Sequence, residues 1–300
     1  MQKGYFEDMM PLLQLISLLA IIALSLIILT SVGFVLLFAF QGVNETISSF
    51  SSNDAGSLRY FQIVQSFAVF VIPSAIAAFL FSKNPAKQLG FFTPKAVLIL
   101  LALVMFIACQ PLISFLTELN KSIIFPDFLK SIESKMRLME DTNNNLIFRL
   151  LDTKKPFIII LNVFMVVILP AFGEEMLFRG MIQPLFGKLF KNGHIAVWLT
   201  AFIFSAIHLQ FLTFLPRLIL GAFLGYLFLY TKNIWYPIAA HFVNNLISTI
   251  IFYHYRFTQP DINPINEPAE KFGWLIITAS FIAVGLLMFI FIKKKKCISH

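Results

Sequence analysis

Long runs of apolar residues separated by short polar connections set the pattern of this chain. Runs of about twenty residues, enough as helices to cross a hydrocarbon layer of roughly 30 Å, occupy residues 11–40, 61–81, 96–116, 157–172 (continuing to 186), 196–209, 214–230, 234–252 and 274–292. They predict an all-α, polytopic transmembrane helix bundle of about eight spans. The fifth run is short, and only residues 209–213 bridge it to the sixth. The first is far longer than the apolar segment of a cleaved signal and follows Glu7 and Asp8, so it is expected to be a span. Residues 117–156 form the one long connection. Within it, residues 131–151 place Met136, Leu138, Met139, Leu146, Ile147 and Leu150 among charges, which predicts an amphipathic helix at the outer surface. Residues 253–272, rich in Asn, Pro and charge, read as an exposed connection.

Composition removes the soluble alternatives. With 58% hydrophobic and 13% charged residues, and a mean hydropathy of +0.83, the chain has too few polar side chains to clothe a soluble fold of this size. The net charge of +8 does not point to nucleic acid, because the lysines follow the membrane. Lys83, Lys87 and Lys95 lie after the second run, Lys188 and Lys191 after the fourth, Lys232 after the sixth, and Lys293 to Lys296 after the last. Basic residues concentrate in cytoplasmic loops, so this alternation predicts that both termini are cytoplasmic. Expected partners are the lipid bilayer and membrane-associated molecules. Cys109 and Cys297 are far apart in sequence and offer neither a disulfide framework nor a CxxC metal site.

The chemistry should lie where polarity breaks an apolar run. Glu174 and Glu175 are the only acids inside a span, and a charge at the centre of a membrane helix costs about 2.5–3.5 kcal/mol on insertion scales. Intramembrane ionisable groups of this kind mark function by default. Glu175 and Arg179 are four residues apart and share a helical face, which predicts an ion pair. Glu174 is turned about 100° from that face, toward the bundle interior, in the position of a general base. His208, His241 and Asn245 also lie in apolar runs, and the four-residue spacing puts His241 and Asn245 on one face with Asn244 turned away. In lipid these groups need polar partners and can satisfy one another by converging on a hydrated cavity. A carboxylate, two imidazoles and an amide donor there suit water-mediated attack on a carbonyl, that is, peptide hydrolysis. No GxSxG or HExxH is present, so Ser205 reads as a small packing residue. Glu174, His208 and His241 could formally give zinc three ligands and an open position, although Glu175, committed to Arg179, would not face the water. A proton-coupled transporter would also bury Glu and His, but it predicts repeat symmetry or broken helices, and neither is evident in the sequence.

Three ordered motifs then stand out: EExxxR as Glu174-Glu175-Met176-Leu177-Phe178-Arg179, FxxxH as Phe204 to His208, and HxxxN as His241 to Asn245. Together they resemble the CPBP family of CAAX prenyl protease and bacteriocin-processing proteins, also called Abi proteins. The likeness runs over roughly residues 157–250 and extends to the connecting residues 220–226 and 233–237. It implies an eight-helix intramembrane endopeptidase in which Glu174 and His208 activate the water, His241 and Asn245 stabilise the oxyanion, and Glu175 and Arg179 support the site. The family has been described both as metalloproteases and as metal-independent glutamate proteases. The residues favour a metal-free site with no cofactor required, and zinc on Glu174, His208 and His241 is the alternative. Substrates would be membrane-associated proteins or peptides, and the membrane a bacterial inner membrane, with the endoplasmic reticulum as fallback. Relatives that act as bacteriocin-immunity proteins or membrane-protein regulators supply a second, non-catalytic reading. The expected organisation is an N-terminal transmembrane region with an outer loop (1–156), a CAAX-protease-like core (157–252), and an outer loop, last span and basic tail (253–300).

Three details refine this picture. Counted along ideal helices from the cytoplasmic side, His208 lies about 20 Å and His241 about 10 Å deep, so a fifth helix that is tilted, or that starts late, nearer Trp198, is expected to level them. Arg217 is expected to snorkel to the interface, with donation into the cavity as the alternative, and Gly221 with Gly225 to admit a close helix neighbour. The terminal Cys297-Ile298-Ser299-His300 has the outline of a prenylation box, but histidine is an unusual last residue and Lys293 to Lys296 already serve as a positive anchor.

Overall fold

The structure, a computed structural model, describes residues 5–51, 54–259, 261–265 and 271–298. Part of the connection after residue 258, and Ser299 and His300 of the terminal box, lie outside the described residues. Every regular element among those described is helical. In chain order they are α1 (Pro11–Gln41), α2 (Val43–Ser51), α3 (Ala55–Phe81), α4 (Pro85–Leu89), α5 (Ala96–Ala108), α6 (Gln110–Lys121), α7 (Lys130–Leu151), α8 (Pro156–Phe190), α9 (Gly193–Ala206), α10 (Phe214–Thr231), α11 (Trp235–Thr258) and α12 (Trp274–Ile298), with single 3-10 turns at Asp127–Leu129 and Phe211–Thr213.

The protein is a multi-pass membrane protein, but the count of eight spans is not confirmed. Among the described residues five helices are long and apolar enough to cross a membrane, and the pair α5 and α6, bent by 42°, makes a sixth if it is one broken span. Helix α9, with 14 residues, is too short, at about 21 Å. Helix α11 is long, but His241, Asn244 and Asn245 dilute its apolar character. It also runs to Thr258, so the exposed connection starts later than the expected residue 253. The amphipathic helix expected over 131–151 forms as α7.

The chain divides into two compact units, Met1–Phe91 with Arg149–Lys191, and Phe92–Phe148 with Asn192–His300. In the first, α1 buries Gln14, Leu18, Ser25, Gly33 and Leu37, while Leu19, Leu24, Ile27 and Ile28 stay exposed. Polar and small groups turned inside beside two leucines, with large aliphatics outside, is the arrangement of a helix solvated by lipid. Gly33 lets Tyr60 of α3 reach its backbone, the phenol donating to the Gly33 carbonyl at 3.1 Å. Arg59, also on α3, is buried and donates to the Leu150 carbonyl and to Asn162 Oδ1, at 2.7 and 3.0 Å, so its charge is held inside the unit.

Helices α3 and α8 share a backbone feature. Their hydrogen bonding widens to the π pattern over Phe67–Val71, Phe164–Ile168 and Met176–Ile182. Each stretch ends two residues before a proline, Pro73, Pro170 or Pro184. Proline has no N–H and its ring collides with the carbonyl four residues back, so the preceding turn opens to accommodate it.

In the second unit α5, α10, α11 and α12 share a core around Phe106, Phe223, Leu227 and Phe291. Pro111 and the break at Cys109 account for the bend between α5 and α6. Ser280 of α12 donates to the Ala108 carbonyl at 2.6 Å, satisfying a group that the bend exposes. Helices α9 and α10 approach closely at Gly221, where a Cβ would lie 3.3 Å from the Ala201 Cα and 3.2 Å from the Phe204 ring.

Candidate functional site

The acidic pair sits in the first unit between two widened turns of α8. Glu175 precedes the stretch Met176–Ile182, and Arg179 lies inside it. Arg179 donates to Glu175 Oε1 at 2.8 Å, with both side chains fully buried. The ion pair expected from the spacing is therefore present. Glu174 retains 9% exposure where Glu175 has none, so Glu174 is the less enclosed of the two carboxylates. Two glycines lock this segment in place. A Cβ on Gly173 would meet Phe70 and Val71 of α3 at 3.0 and 3.1 Å, and one on Gly180 would meet the Leu89 side chain at 2.8 Å and its backbone at 3.4 Å.

The two histidines meet in the second unit. His208 is not on a helix: α9 ends at Ala206, and Leu209 turns left-handed, with φ of 54°. The expected late start of this helix is incorrect, since it begins earlier, at Gly193, capped by the Asn192 side chain. The turn brings the imidazole back to Phe204 instead, with His208 Nδ1 2.7 Å from the Phe204 carbonyl. A carbonyl oxygen only accepts, so Nδ1 carries the proton and Nε2 of the neutral ring presents a lone pair. The Phe204 ring lies 5.0 Å from His208 and 6.0 Å, edge-on, from the buried His241. Phe204 is thus the wall on which both imidazoles rest.

Asn245 follows His241 by one turn of α11. The Asn244 amide donates to Asn245 Oδ1 at 3.1 Å. Asn244 is turned away in helical register, as the spacing predicts, but its side chain folds back and occupies the carbonyl end of Asn245. The Asn245 Nδ2 end is then directed to donate elsewhere. Ser205 does more than pack: its hydroxyl donates to the Phe214 carbonyl at 2.7 Å and ties the end of α9 to the start of α10. Arg217 turns to the connector before α10. Its guanidinium donates to Gln210 Oε1 at 2.6 Å and Thr213 Oγ1 at 3.2 Å, because the connector before α10 supplies acceptors within its reach.

The structure therefore brings Glu174, Glu175 and Arg179 together in one unit, and His208, His241 and Asn245 in the other. Within each unit, among the described residues, no three His, Cys, Asp or Glu side chains form a metal-binding group. A histidine whose Nδ1 is anchored on a carbonyl suits Nε2 equally to a proton acceptor or a metal ligand. Sequence reasoning missed the wall formed by Phe204 and the contact from Asn244. The first was already present as the aromatic residue of FxxxH; the second rests on a side-chain conformation that spacing does not encode.

Residues 156–247 match the family model of the type II CAAX prenyl endopeptidases, Rce1-like. A protein of Bacillus subtilis (strain 168), described as uncharacterized protein YpbD, is 32% identical over 106 residues, covering 33% of this chain. The match spans about half, 51%, of that protein's length. No solved structure matches the chain.

Proposed function

From the Rce1-like region at residues 156–247, we propose that the chain is an intramembrane endopeptidase that hydrolyses a peptide bond of a membrane-associated protein or peptide. Glu174 and His208 flank the attacking water. As the water oxygen bonds to the carbonyl carbon, its proton passes to the Glu174 carboxylate, with His208 Nε2 accepting a hydrogen bond from the same water. His241 and the Asn245 Nδ2 group donate to the oxyanion that develops. The C–N bond then breaks, and the departing amine takes the proton from Glu174. Glu175 and Arg179 hold the segment that carries Glu174. No cofactor is required. A zinc ion on Glu174, His208 and His241 is the alternative, supplying a Lewis acid. We place both termini in the cytoplasm of a bacterium, with the core over residues 157–252.

The observation that carries this reading is the anchored His208, whose Nε2 is poised as an acceptor beside a second imidazole on the same ring. A library of membrane peptides, incubated with purified protein with and without a strong chelator, tests it. Cleavage that resists chelation and is lost in His208→Ala supports the reading, and chelator-sensitive cleavage selects the zinc form. A folded wild type that binds peptides from the library but cuts none contradicts it and favours a peptide-binding immunity or regulatory protein.

A further inference from the structure

The connector between α9 and α10 carries His208, and backbone polar groups in such a segment at membrane depth must be satisfied by protein. Two of its partners come from helices outside the three motifs. Asn120, buried near the end of α6, donates from Nδ2 to the Phe211 carbonyl at 2.8 Å and accepts the Leu215 N–H at Oδ1 at 2.7 Å. Glu140, buried on the amphipathic α7, accepts the Leu212 N–H at 2.9 Å. Ser205 closes the same turn through the Phe214 carbonyl. Backbone groups of four residues between Phe211 and Leu215 are thus held from three directions, beginning three residues after His208.

We propose that Asn120 and Glu140 are positioning residues for His208: they clamp the connector so that the imidazole stays folded back on the Phe204 carbonyl. This rests on the endopeptidase reading for its effect on turnover, although not for the clamp itself. Without the clamp, the turn after Leu209 is left to the Ser205 and Arg217 bonds, because α9 has already ended. Helix α7 then acts as the brace of a loop bearing a reacting group, and a carboxylate at position 140 is suited to it, since a charged acceptor makes the stronger bond to a backbone N–H. Asn120 is suited because one amide satisfies a carbonyl and an N–H at once.

The test uses the full chain in lipid nanodiscs with Glu140→Ala, the shape-preserving Glu140→Gln and Asn120→Asp, and Glu174→Gln as the activity control. Turnover on a cleaved membrane peptide is measured together with amide exchange over residues 209–215 and the imidazole nitrogen signals of labelled histidine. Glu140→Ala and Asn120→Asp are expected to lower kcat about tenfold with little change in KM, to speed exchange at Leu212 and Leu215, and to shift the His208 tautomer signal. Glu140→Gln, which keeps an acceptor oxygen, is expected to recover most of the rate. Unchanged exchange and an unchanged His208 signal in both weakening variants overturn the clamp. So does faster exchange with wild-type kcat. If the wild type cuts no better than Glu174→Gln, the endopeptidase reading fails, and the exchange and histidine signals alone decide the clamp.

Discussion

Arg179 and Glu175 show why a charge pair persists in an apolar helix. With both side chains fully buried and 2.8 Å apart, each makes the other tolerable, and removing one strands the other. Arg179→Ala is expected to cost about 3–5 kcal/mol, read as a lower denaturation midpoint in detergent, whereas replacing both with apolar residues of similar size costs much less. Equal losses in the single and double variants would contradict a coupled pair. This pair was legible in the sequence, since a four-residue spacing inside an apolar run leaves a helix little choice. Asn244 was not legible, because register turns it away while its rotamer brings it back to Asn245. Asn244→Ala is expected to lower kcat about fivefold, the scale of one neutral hydrogen bond, with stability unchanged because the residue is only half-buried. A wild-type kcat would show that Asn245 needs no such anchor.

At the scale of elements, apolar runs were read reliably where lipid demands an uninterrupted helix, as in α1, α3 and α12. They misled where a run continues past its helix. Residues 207–209 are as apolar as α9, but the backbone has already turned at Leu209, so His208 sits on a turn and not on a span. The π stretches carried a signal in the prolines at 73, 170 and 184, which apolar periodicity ignores. The GxxxG reading of α10 was correct at Gly221, where a Cβ would lie only 3.3 Å from the Ala201 Cα. Gly221→Val is expected to destabilise the second unit by about 1–3 kcal/mol and to push the Phe204 ring toward His208 and His241. Wild-type thermal stability for that variant would contradict the close approach of α9 and α10.

For the whole molecule, the distribution of lysine predicts the topology. Single cysteines placed at Lys87, Lys188 and Lys232 are expected to react with a membrane-impermeant reagent only from the cytoplasmic face, and cysteines at Asn44 and Asp261 only from the opposite face. Labelling of one set from both faces would contradict the orientation. The fold class and the polar residues of the three motifs could be read from the sequence because membrane insertion penalises every unneeded charge. The bracing of the His208 connector could not, since Asn120 lies near the end of the bent α5–α6 pair and Glu140 in a stretch whose charges read as a solvated surface. The central claim is that Glu174 takes the proton of a hydrolytic water, and the most direct measurement compares cleavage of one membrane peptide by wild type and Glu174→Gln, both verified as folded. The account predicts that the variant retains less than about 1% of the wild-type rate, a loss of roughly 3 kcal/mol in transition-state stabilisation, while binding the peptide equally well. Cleavage by the variant at the wild-type rate would contradict it.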